Sequence, residues 1–294
     1  MSLIMNLTRP LLRLRPNAFT TVESMRKSVD RSRPDAPVPA ALRRSCSITA
    51  DIVHGHQVIT LTPKTGRTNK DLIYTHGGAY IYPLLSMHWQ IIATFIRRTG
   101  ARVTVPLYGL GPAHNADDAY RLLESVYRRV AERAGKDPVF LVGDSAGAGL
   151  AVGQAILYRD RGLRAPDGLL LFSPWVDVTM ENPDITAVTG RDPILAPPGL
   201  TAAGRDWAGD LSTTDPLVSP LHDTLKDLPP TFIYQGGHDI FLPDVKKFAA
   251  KAEAAGTKVD LRIYHAAFHV FIGAPWTPEA RHALRDAAVR IAAD

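Results

Sequence analysis

Short, wholly apolar runs alternate along this chain with longer segments in which apolar residues recur every three or four positions. Residues 139–142 and 169–172 contain no polar side chain, which is typical of parallel strands buried on both faces. Residues 117–134 carry their apolar side chains on one stripe, as an amphipathic helix does. The alternation predicts an α/β fold with a doubly wound, mostly parallel central sheet. The pattern predicts strands at 71–75, 101–108, 139–142, 169–172, 231–235 and 259–264, helices at 87–98, 117–134, 148–158, 245–255 and 278–293, and an antiparallel hairpin at 47–53 and 56–62.

Two parts of the chain depart from this alternation. Residues 1 to about 45 precede the first strands and predict two short helices, broken by Pro10, by Pro16 and by a proline-rich stretch at 33–39. Residues 177–225 are rich in Pro, Asp, Thr and Gly and carry few strand signals. So long an irregular segment in a compact domain is typical of a lid or a binding segment.

Composition limits the class of protein. With 294 residues, 45% of them hydrophobic and 21% charged, the chain is long enough for one large globular domain. The single cysteine, Cys46, excludes a disulfide within a monomer and a cysteine-based metal site, and it fits a reducing, cytoplasmic location. No apolar stretch is long enough to span a membrane, so we expect no integral membrane segment. We expect no cofactor and no metal.

The net charge of +5 is concentrated at the N-terminus. Residues 1–50 hold nine Lys and Arg against three acidic residues, so the remainder of the chain is close to neutral. Such a segment could contact nucleic acid or an anionic membrane surface. Aromatic residues do not alternate with these arginines, so we predict no nucleic-acid partner and interpret the segment as a solvated helical face.

A pentapeptide between a predicted strand and a predicted helix carries the first candidate for chemistry. Residues 143–147 read Gly-Asp-Ser-Ala-Gly, and this context is the one required by a nucleophile elbow. A Cβ at Gly143 or Gly147 would crowd a turn sharp enough to expose Ser145. A glycine-rich turn with a helix-capping serine would explain the pentapeptide alone equally well.

Two residues farther along the chain supply the groups that a nucleophilic serine needs. A serine hydroxyl requires a base to accept its proton and an acid to orient that base. Asp239 follows the strand predicted at 231–235, and His269 follows the last predicted strand. The order serine, acid, histidine is that of an α/β-hydrolase. His265 is the alternative base, and Asp244 is the alternative acid, although its place at a helix start favours a capping role.

A glycine pair after the strand at 71–75 offers backbone donors. Gly77 and Gly78 free the chain to turn N–H groups towards a developing oxyanion. On their own they would equally form a simple turn. We interpret His76 as a residue that braces this loop, and Asp144 as structural.

Six motifs together make this chain resemble the hormone-sensitive-lipase-like esterases, a family of α/β-hydrolases. The similarity runs from about residue 70 to the C-terminus, and the set is specific although each motif alone is weak. The motifs are His76-Gly77-Gly78-Ala79-Tyr80, Gly143-Asp144-Ser145-Ala146-Gly147, Asp215-Pro216-Leu217-Val218-Ser219-Pro220, Leu228-Pro229-Pro230, Gly237-His238-Asp239 and Phe268-His269-Val270-Phe271.

The resemblance implies roles for particular residues. Ser145 would be the nucleophile, Asp239 the acid and His269 the base. An oxyanion hole would be formed by the backbone N–H groups of Gly77, Gly78 and Ala146. The resemblance also implies cap helices at 1–46 and a catalytic domain at 47–294, with a cap-contributing insertion at about 177–215.

Three positions depart from the family pattern. Ala79 stands where the family usually has a third glycine, and Ala148 replaces the last glycine of Gly-Asp-Ser-Ala-Gly-Gly. Residues 108–117 are shorter than the family's Tyr-Arg-Leu-Ala-Pro-Glu region and lack its arginine and glutamate. That loop flanks the nucleophile turn, so its change bears on the shape of the substrate pocket.

We therefore predict a serine carboxylesterase that acts on short-to-medium-chain acyl esters. Tyr80, Trp89, Trp175 and Phe271 lie near predicted strand ends and are candidates for lining an apolar pocket, although Trp89 fits helix core packing equally well. One alternative is an amide or formamide hydrolase with the same triad. The other is a catalytically dead ligand-binding receptor of this fold, for which a plant hormone receptor that lost its base histidine is the precedent. The family resemblance also allows a homodimer.

Overall fold

The computed structural model describes residues 2–14 and 16–293; Met1, Asp294 and Arg15, one of the arginines of the basic N-terminal segment, lie outside the described residues. The strands are β1 (Cys46–Val53), β2 (His56–Pro63), β3 (Asp71–Thr75), β4 (Arg102–Pro106), β5 (Val139–Asp144), β6 (Gly168–Phe172), β7 (Thr231–Gly236) and β8 (Val259–Tyr264). The helices are α1 (Leu3–Arg13), α2 (Val22–Asp30), α3 (Ala40–Ser45), α4 (Ser86–Thr99), α5 (Ala116–Ala134), α6 (Ala146–Asp160), α7 (Ile185–Thr189), α8 (Pro197–Ala208), α9 (Leu242–Ala254) and α10 (Pro278–Ala293).

All eight strands of the described chain join one sheet in the order β1-β2-β4-β3-β5-β6-β7-β8. Strands β3 to β8 pair in parallel, whereas β1 pairs with β2 and β2 with β4 in antiparallel register. The predicted α/β class, the mostly parallel sheet and the N-terminal hairpin are therefore confirmed. Loops that leave the carboxyl ends of the parallel strands meet at one edge, where ligands of open α/β sheets bind.

The two faces of the sheet carry separate apolar cores. Phe140 and Val142 of β5 pack in the core that includes residues of α4 and α10, while Val139 and Leu141 pack in the core that includes residues of α5 and α6. Successive side chains of a strand point to opposite faces, so the unbroken apolar run of β5 supplies both cores. This is why the strand reads as wholly hydrophobic.

The N-terminal segment differs from the prediction of two helices broken at Pro10. It forms three helices, and α1 continues through Pro10. A proline removes one backbone donor within a helix. The Ser2 side chain caps the helix by accepting the N–H of Met5 at 3.1 Å, and the Met5 side chain is fully buried. Capping and packing therefore outweigh the local effect of the proline.

The prediction of an irregular segment at 177–225 is wrong in part, because α7, α8 and a short 3₁₀ turn at Pro220–His222 lie within it. Helix α8 starts at Pro197 and is followed by Gly209. Proline at a helix start and glycine just past its end are regular features of helix termini. Pro and Gly in this segment therefore bound a helix that buries Leu200 and Trp207.

The N-terminal segment and the 177–215 segment contact each other. Arg26 of α2 donates from Nη2 to Asp206 Oδ1 of α8 at 2.8 Å. The N–H of Gly199 donates to the carbonyl of Phe19 at 2.9 Å, and a Cβ at position 199 would lie 2.7 Å from the Phe19 Cα. The close approach of these two segments therefore requires glycine at 199.

Candidate active site

Ser145 occupies a sharp turn between β5 and α6. Its φ of 53° and ψ of −123° are unusual for a residue with a side chain. A Cβ at Gly143 would collide with the backbone of Gly147, and one at Gly147 would collide with the Thr75 carbonyl. These contacts are the steric reason for both glycines, and the geometry is that of a nucleophile elbow.

The structure brings His269 and Asp239 to this serine. His269 Nε2 lies 2.9 Å from Ser145 Oγ, and His269 Nδ1 lies 2.9 Å from Asp239 Oδ2. Their exposed fractions are 6% for the serine, 6% for the histidine and 0% for the aspartate. His265 is exposed, whereas Asp244 accepts from Asn182 at 2.7 Å. Of the two candidate bases, His269 rather than His265 contacts the serine, and of the two candidate acids, Asp239 rather than Asp244 contacts that histidine.

Close packing between two loops sets the distance from acid to base. The loop after β7 carries Asp239, and its His238 N–H donates to the Ala267 carbonyl at 2.9 Å in the loop that carries His269. A Cβ at Gly236 would lie 2.6 Å from that same carbonyl. The glycine before the acid motif therefore lets the two loops touch.

The electrostatics favour a histidine that accepts a proton. Burial on its own lowers the pKa of His269, but the charge and hydrogen bond of Asp239 outweigh it and hold the pKa above the usual range. A hydrogen bond from Nδ1–H to Asp239 leaves Nε2 of the neutral ring as the acceptor facing Ser145. Asp239 is itself fixed, because its Oδ1 accepts the N–H of Phe241 at 2.9 Å.

Sequence reasoning missed a second buried carboxylate beside the acid. Asp192, in the 177–215 segment, accepts the N–H groups of Ile194, Leu195 and Ile240 at 2.8, 3.0 and 2.9 Å. Burial and the neighbouring charge of Asp239 raise its pKa, and its own charge helps to raise the pKa of His269. Asp192 precedes a proline in a polar segment, which is typical of an ordinary turn. The sequence therefore did not indicate that Asp192 lies beside Asp239.

The donors available to an oxyanion differ from the expected set at one residue. The sequence predicts Gly77 as a donor, but its N–H donates to Asp144 Oδ1 at 3.1 Å and is therefore not available to an oxyanion. Among the described residues, the N–H groups of Gly78, Ala79 and Ala146 have no acceptor. Gly78 and Ala79 have φ values of 123° and 52°, which turn this stretch of backbone out of regular structure.

A buried polar cluster of Asp144, Tyr74 and His88 supports the glycine turn. Asp144 Oδ1 accepts the Tyr74 hydroxyl at 2.6 Å, and Oδ2 lies 3.4 Å from His88 Nε2. Burial on its own raises the pKa of Asp144, but the charge of His88 and the hydrogen bonds from His88 and Tyr74 outweigh it, so the pKa lies below the usual range. The contacts of Asp144 are thus those of a structural residue, as the sequence predicts.

His76 and the shortened 108–117 loop also support this turn. His76 Nδ1 lies 2.7 Å from the Gly77 carbonyl, and burial lowers the pKa of His76 to about 4. The Tyr108 ring stacks on His76 at 4.5 Å, and its hydroxyl donates to the His76 carbonyl at 2.7 Å. The Gly111 N–H donates to the Tyr80 carbonyl at 2.9 Å. The loop therefore still braces the glycine turn without the family's arginine and glutamate.

The four aromatic residues expected at the pocket fall into two groups. Tyr80 stacks on Trp175 with centroids 5.4 Å apart, and both belong to the core on the α5 and α6 face. Trp89 and Phe271 belong to the core on the α4 and α10 face, and Trp89 Nε1 donates to the Ala36 carbonyl at 2.7 Å. Core packing thus accounts for the position of Trp89.

Two further aromatic residues extend the Tyr80–Trp175 pair. Trp207 of α8 stacks on Tyr80 at 4.1 Å, and Phe241 stacks on Trp175 at 5.5 Å. Phe241 also meets the His269 ring edge-on at 5.1 Å. A continuous aromatic row therefore runs from α8 to His269. Within the described residues, no group of three or more His, Cys, Asp or Glu side chains is placed to hold a metal ion.

Comparison with known proteins gives the family. A profile of the α/β-hydrolase fold family matches residues 72–273. An esterase of Acinetobacter venetianus is 32% identical over 220 residues, which cover 74% of this chain and 73% of that protein. An acetyl-hydrolase of Streptomyces hygroscopicus is 30% identical over 78% of this chain and 78% of that protein. A crystal structure of a hormone-sensitive lipase from a metagenome library superposes with a TM-score of 0.85 at 25% identity, over all of this chain and 98% of the other.

The chain belongs to the α/β-hydrolase family. The resemblance to hormone-sensitive-lipase-like esterases is confirmed by these relatives and structural neighbours, which are carboxylic ester hydrolases.

Proposed function

We propose that this protein is a serine carboxylesterase that hydrolyses short-to-medium-chain acyl esters through an acyl-enzyme. One observation carries the proposal: a continuous hydrogen-bond chain runs from Ser145 through His269 to Asp239, in a site that is almost fully buried. The chain's relatives support the reaction class, because they are named esterase and acetyl-hydrolase.

Each group in the site has a step in the proposed reaction. His269 Nε2 accepts the Ser145 proton as Oγ attacks the ester carbonyl, and Asp239 stabilises the imidazolium that forms. His269 then donates that proton to the leaving alcohol, which leaves the acyl group on Ser145. Water, activated by the same histidine, attacks the acyl-enzyme, and the acid product leaves with the serine restored.

Backbone donors stabilise the tetrahedral anion in this proposal. The N–H groups of Gly78, Ala79 and Ala146 supply the oxyanion hole, and Ala146 contributes at the start of α6, where the helix dipole favours negative charge. Loss of one such donor costs about 10²–10³ in rate in a well-studied serine protease. Ala79 serves as well as glycine here, since only its backbone N–H is used.

The N-terminal helices and the 177–215 segment form one cap over the acyl side of the site in this proposal. The Arg26–Asp206 and Phe19–Gly199 contacts join the two segments, and they support treating them as a unit. The aromatic row of Trp207, Tyr80 and Trp175 belongs to this side and forms the wall of the acyl pocket. Trp89 and Phe271 lie in the other core, and we propose that they act through packing.

Hydrolysis of p-nitrophenyl esters of increasing chain length tests the function. We expect turnover that peaks at a short acyl chain, and that Ser145→Ala reduces to background while its melting temperature stays close to that of the wild type. Full activity in the Ser145→Ala variant would refute the assignment. A p-nitroanilide with the same acyl group, assayed in parallel, separates ester from amide hydrolysis.

The two alternatives give different outcomes in the same assays. An amide or formamide hydrolase would prefer the anilide or a formamide. A ligand-binding receptor would hydrolyse neither substrate. The hydrogen bond that His269 Nε2 accepts from Ser145 Oγ favours an enzyme, because a receptor has no need to keep the base in contact with the serine.

A further inference from the structure

Ser173, which directly follows strand β6, is a fully buried serine outside the proposed triad. Its Oγ accepts the N–H of Val270 at 3.0 Å, and Val270 is the residue after His269. Its own N–H donates to the carbonyl of Tyr234 in β7 at 3.0 Å. A side-chain atom of Ser173 therefore holds the chain at the residue that follows the proposed base.

Ser173 and Val270 both adopt left-handed backbone conformations. Their φ values are 50° and 49°. A side chain makes this conformation unfavourable, and for a β-branched residue such as Val270 it is a genuine outlier. Residues held in this way persist only where surrounding contacts fix them, and they cluster at functional sites. The hydrogen bond between Ser173 and Val270 is such a contact, because it joins the two left-handed residues directly.

The same stretch of chain holds the proposed nucleophile. The N–H of Ser145 donates to the Phe172 carbonyl at 2.8 Å, and the Ser145 carbonyl accepts the N–H of Trp175 at 3.1 Å. This stretch therefore contacts Ser145 through backbone atoms and the base loop through the Ser173 hydroxyl. These contacts fix both sides of the 2.9 Å distance from Ser145 Oγ to His269 Nε2.

The hydroxyl is the part of Ser173 that the contact with Val270 requires. A glycine at position 173 would adopt the same φ without strain, but it would offer no side-chain acceptor to the Val270 N–H. The acid orients the base in a different way, because Asp239 Oδ2 contacts the His269 ring at Nδ1, 2.9 Å away. Asp239 thus acts on the ring of the base, whereas Ser173 acts on the backbone that carries it.

We propose that Ser173 is a positioning residue, whose hydroxyl holds the Val270 N–H and thereby keeps His269 Nε2 within hydrogen-bonding distance of Ser145 Oγ. The hydroxyl contacts backbone rather than a reacting atom, so Ser173 acts through the histidine. The inference rests on the proposed function, because it assigns a role in that reaction. A misplacement of about 1 Å can cost about 10²-fold in rate, so a hydrogen bond beside the base can control turnover.

Steady-state kinetics on a short p-nitrophenyl ester tests the proposal. Ser173→Ala removes only the hydroxyl oxygen and should lower kcat by about 10- to 100-fold, while KM stays within about twofold of the wild type. Ser173→Gly removes the hydroxyl and also relieves the left-handed strain. It should therefore fold at least as stably as Ser173→Ala and show the same loss of kcat.

Thr99→Val is the matched control. Thr99 Oγ1 accepts the N–H of Ala101 at 3.2 Å, and the Thr99 side chain is buried, as is that of Ser173. It lies just before β4, at the edge of the sheet opposite the triad. Each variant removes a buried hydroxyl that accepts a backbone N–H, so the melting temperature should fall by a similar amount in both. Only Ser173→Ala should lower kcat.

A double variant separates positioning from a general structural role. Ser173→Ala is combined with His269→Ala, and the residual rate of ester hydrolysis is compared with that of His269→Ala alone. If Ser173 acts through the base, its loss should have no further effect once the base is absent, because groups that act as a unit are not additive. A structural role would lower the rate by the same factor in both backgrounds.

Two results would overturn the proposal and leave the esterase assignment intact: wild-type kcat in Ser173→Ala or Ser173→Gly, or the same factor of loss with and without His269. The rate of fluorophosphonate labelling at Ser145 is a readout that needs no ester substrate, and Ser173→Ala should be labelled about 10- to 100-fold more slowly than the wild type. Slower labelling in a protein that hydrolyses no ester would support this inference and count against the proposed esterase alone. Equal labelling rates would overturn the inference.

Discussion

The loops of the proposed triad and the two segments of the proposed cap, residues 1–46 and 177–215, are held by partly different physical means. The triad loops pack backbone against backbone: Gly147 lies on the Thr75 carbonyl, and Gly236 lies on the loop of His269. The cap segments share one such backbone contact, between Gly199 and Phe19, and otherwise meet through side chains such as Arg26 and Asp206, which keep some exposure to solvent. Backbone contacts of this kind leave no room for adjustment, whereas side-chain contacts at the surface can rearrange. We therefore expect the catalytic loops to be sensitive to small changes and the cap, apart from Gly199, to be more tolerant.

The largest effect should come from the base histidine. His269→Ala removes the group that accepts the serine proton, and comparable triad deletions cost about 10⁶-fold in kcat. His265→Ala is the matched control, because His265 is exposed four residues away in the same loop, and it should change kcat/KM by less than about threefold, as surface substitutions commonly do. Steady-state kinetics on a short p-nitrophenyl ester measures both. Similar losses in the two variants would contradict the assignment of the base.

The second prediction compares one methyl group in the two regions. Gly147→Ala puts a Cβ against the Thr75 carbonyl and should lower the free energy of unfolding by about 1–3 kcal/mol or more, as overpacking does. Gly190→Ala, in the cap segment, meets open space at a φ of −68° and should leave stability unchanged or raise it by up to about 1 kcal/mol. Urea unfolding measures both. Equal costs would remove the proposed difference between the regions.

The third prediction concerns Asp192, a residue of the proposed cap that contributes to the electrostatics of the proposed triad. Asp192→Asn removes a negative charge that helps to raise the pKa of His269. The base works only when neutral, so activity falls as pH drops through this pKa, and the variant's acidic limb should move to lower pH. Asn keeps one acceptor oxygen, so stability should fall by only about 1–2 kcal/mol.

The pH profile of kcat/KM tests this role of Asp192. Asp184→Asn neutralises an exposed acid of the same segment and serves as the control, with no shift expected. A stability loss in Asp192→Asn without a shift of the acidic limb would show that Asp192 only holds the Ile240 loop.

The smallest effect should come from the ion pair of the cap. The side chains of Arg26 and Asp206 are 39% and 17% exposed, so solvent screens their attraction. A double-mutant cycle with Arg26→Ala and Asp206→Ala should give a coupling of about 0.2–1 kcal/mol. A coupling well above that range would mean that the cap is held as firmly as the triad loops.

Whether a packing contact is local or long-range in the sequence decides what the sequence could predict. Residues 139–142 predict a strand because they are apolar throughout. Gly143 is visible because it packs on Gly147 within the same recurrent turn, whereas Gly147 is visible only as part of the pentapeptide, since it packs on the Thr75 carbonyl of another strand. The loops after β7 and β8 were predictable for a related reason, since the carboxyl ends of parallel strands converge. Ser145, Asp239 and His269 could thus be chosen before their distances were known.

Contacts across long sequence separations could not be read in this way. Helix α8 was missed because its packing partner, Phe19, lies far away in the chain, and its Pro and Gly residues resemble loop composition. Asp192 was missed because only folding brings it to Ile240. Gly77 was assigned as an oxyanion donor because the sequence does not show that Asp144 takes its N–H.

Labelling with a fluorophosphonate probe, followed by intact mass and peptide mapping, tests the central claim most directly. The account predicts one covalent adduct per chain, on Ser145, formed rapidly in the wild type and absent in Ser145→Ala. An adduct on another residue, or none at all while the protein stays folded, would contradict Ser145 as the nucleophile of this site.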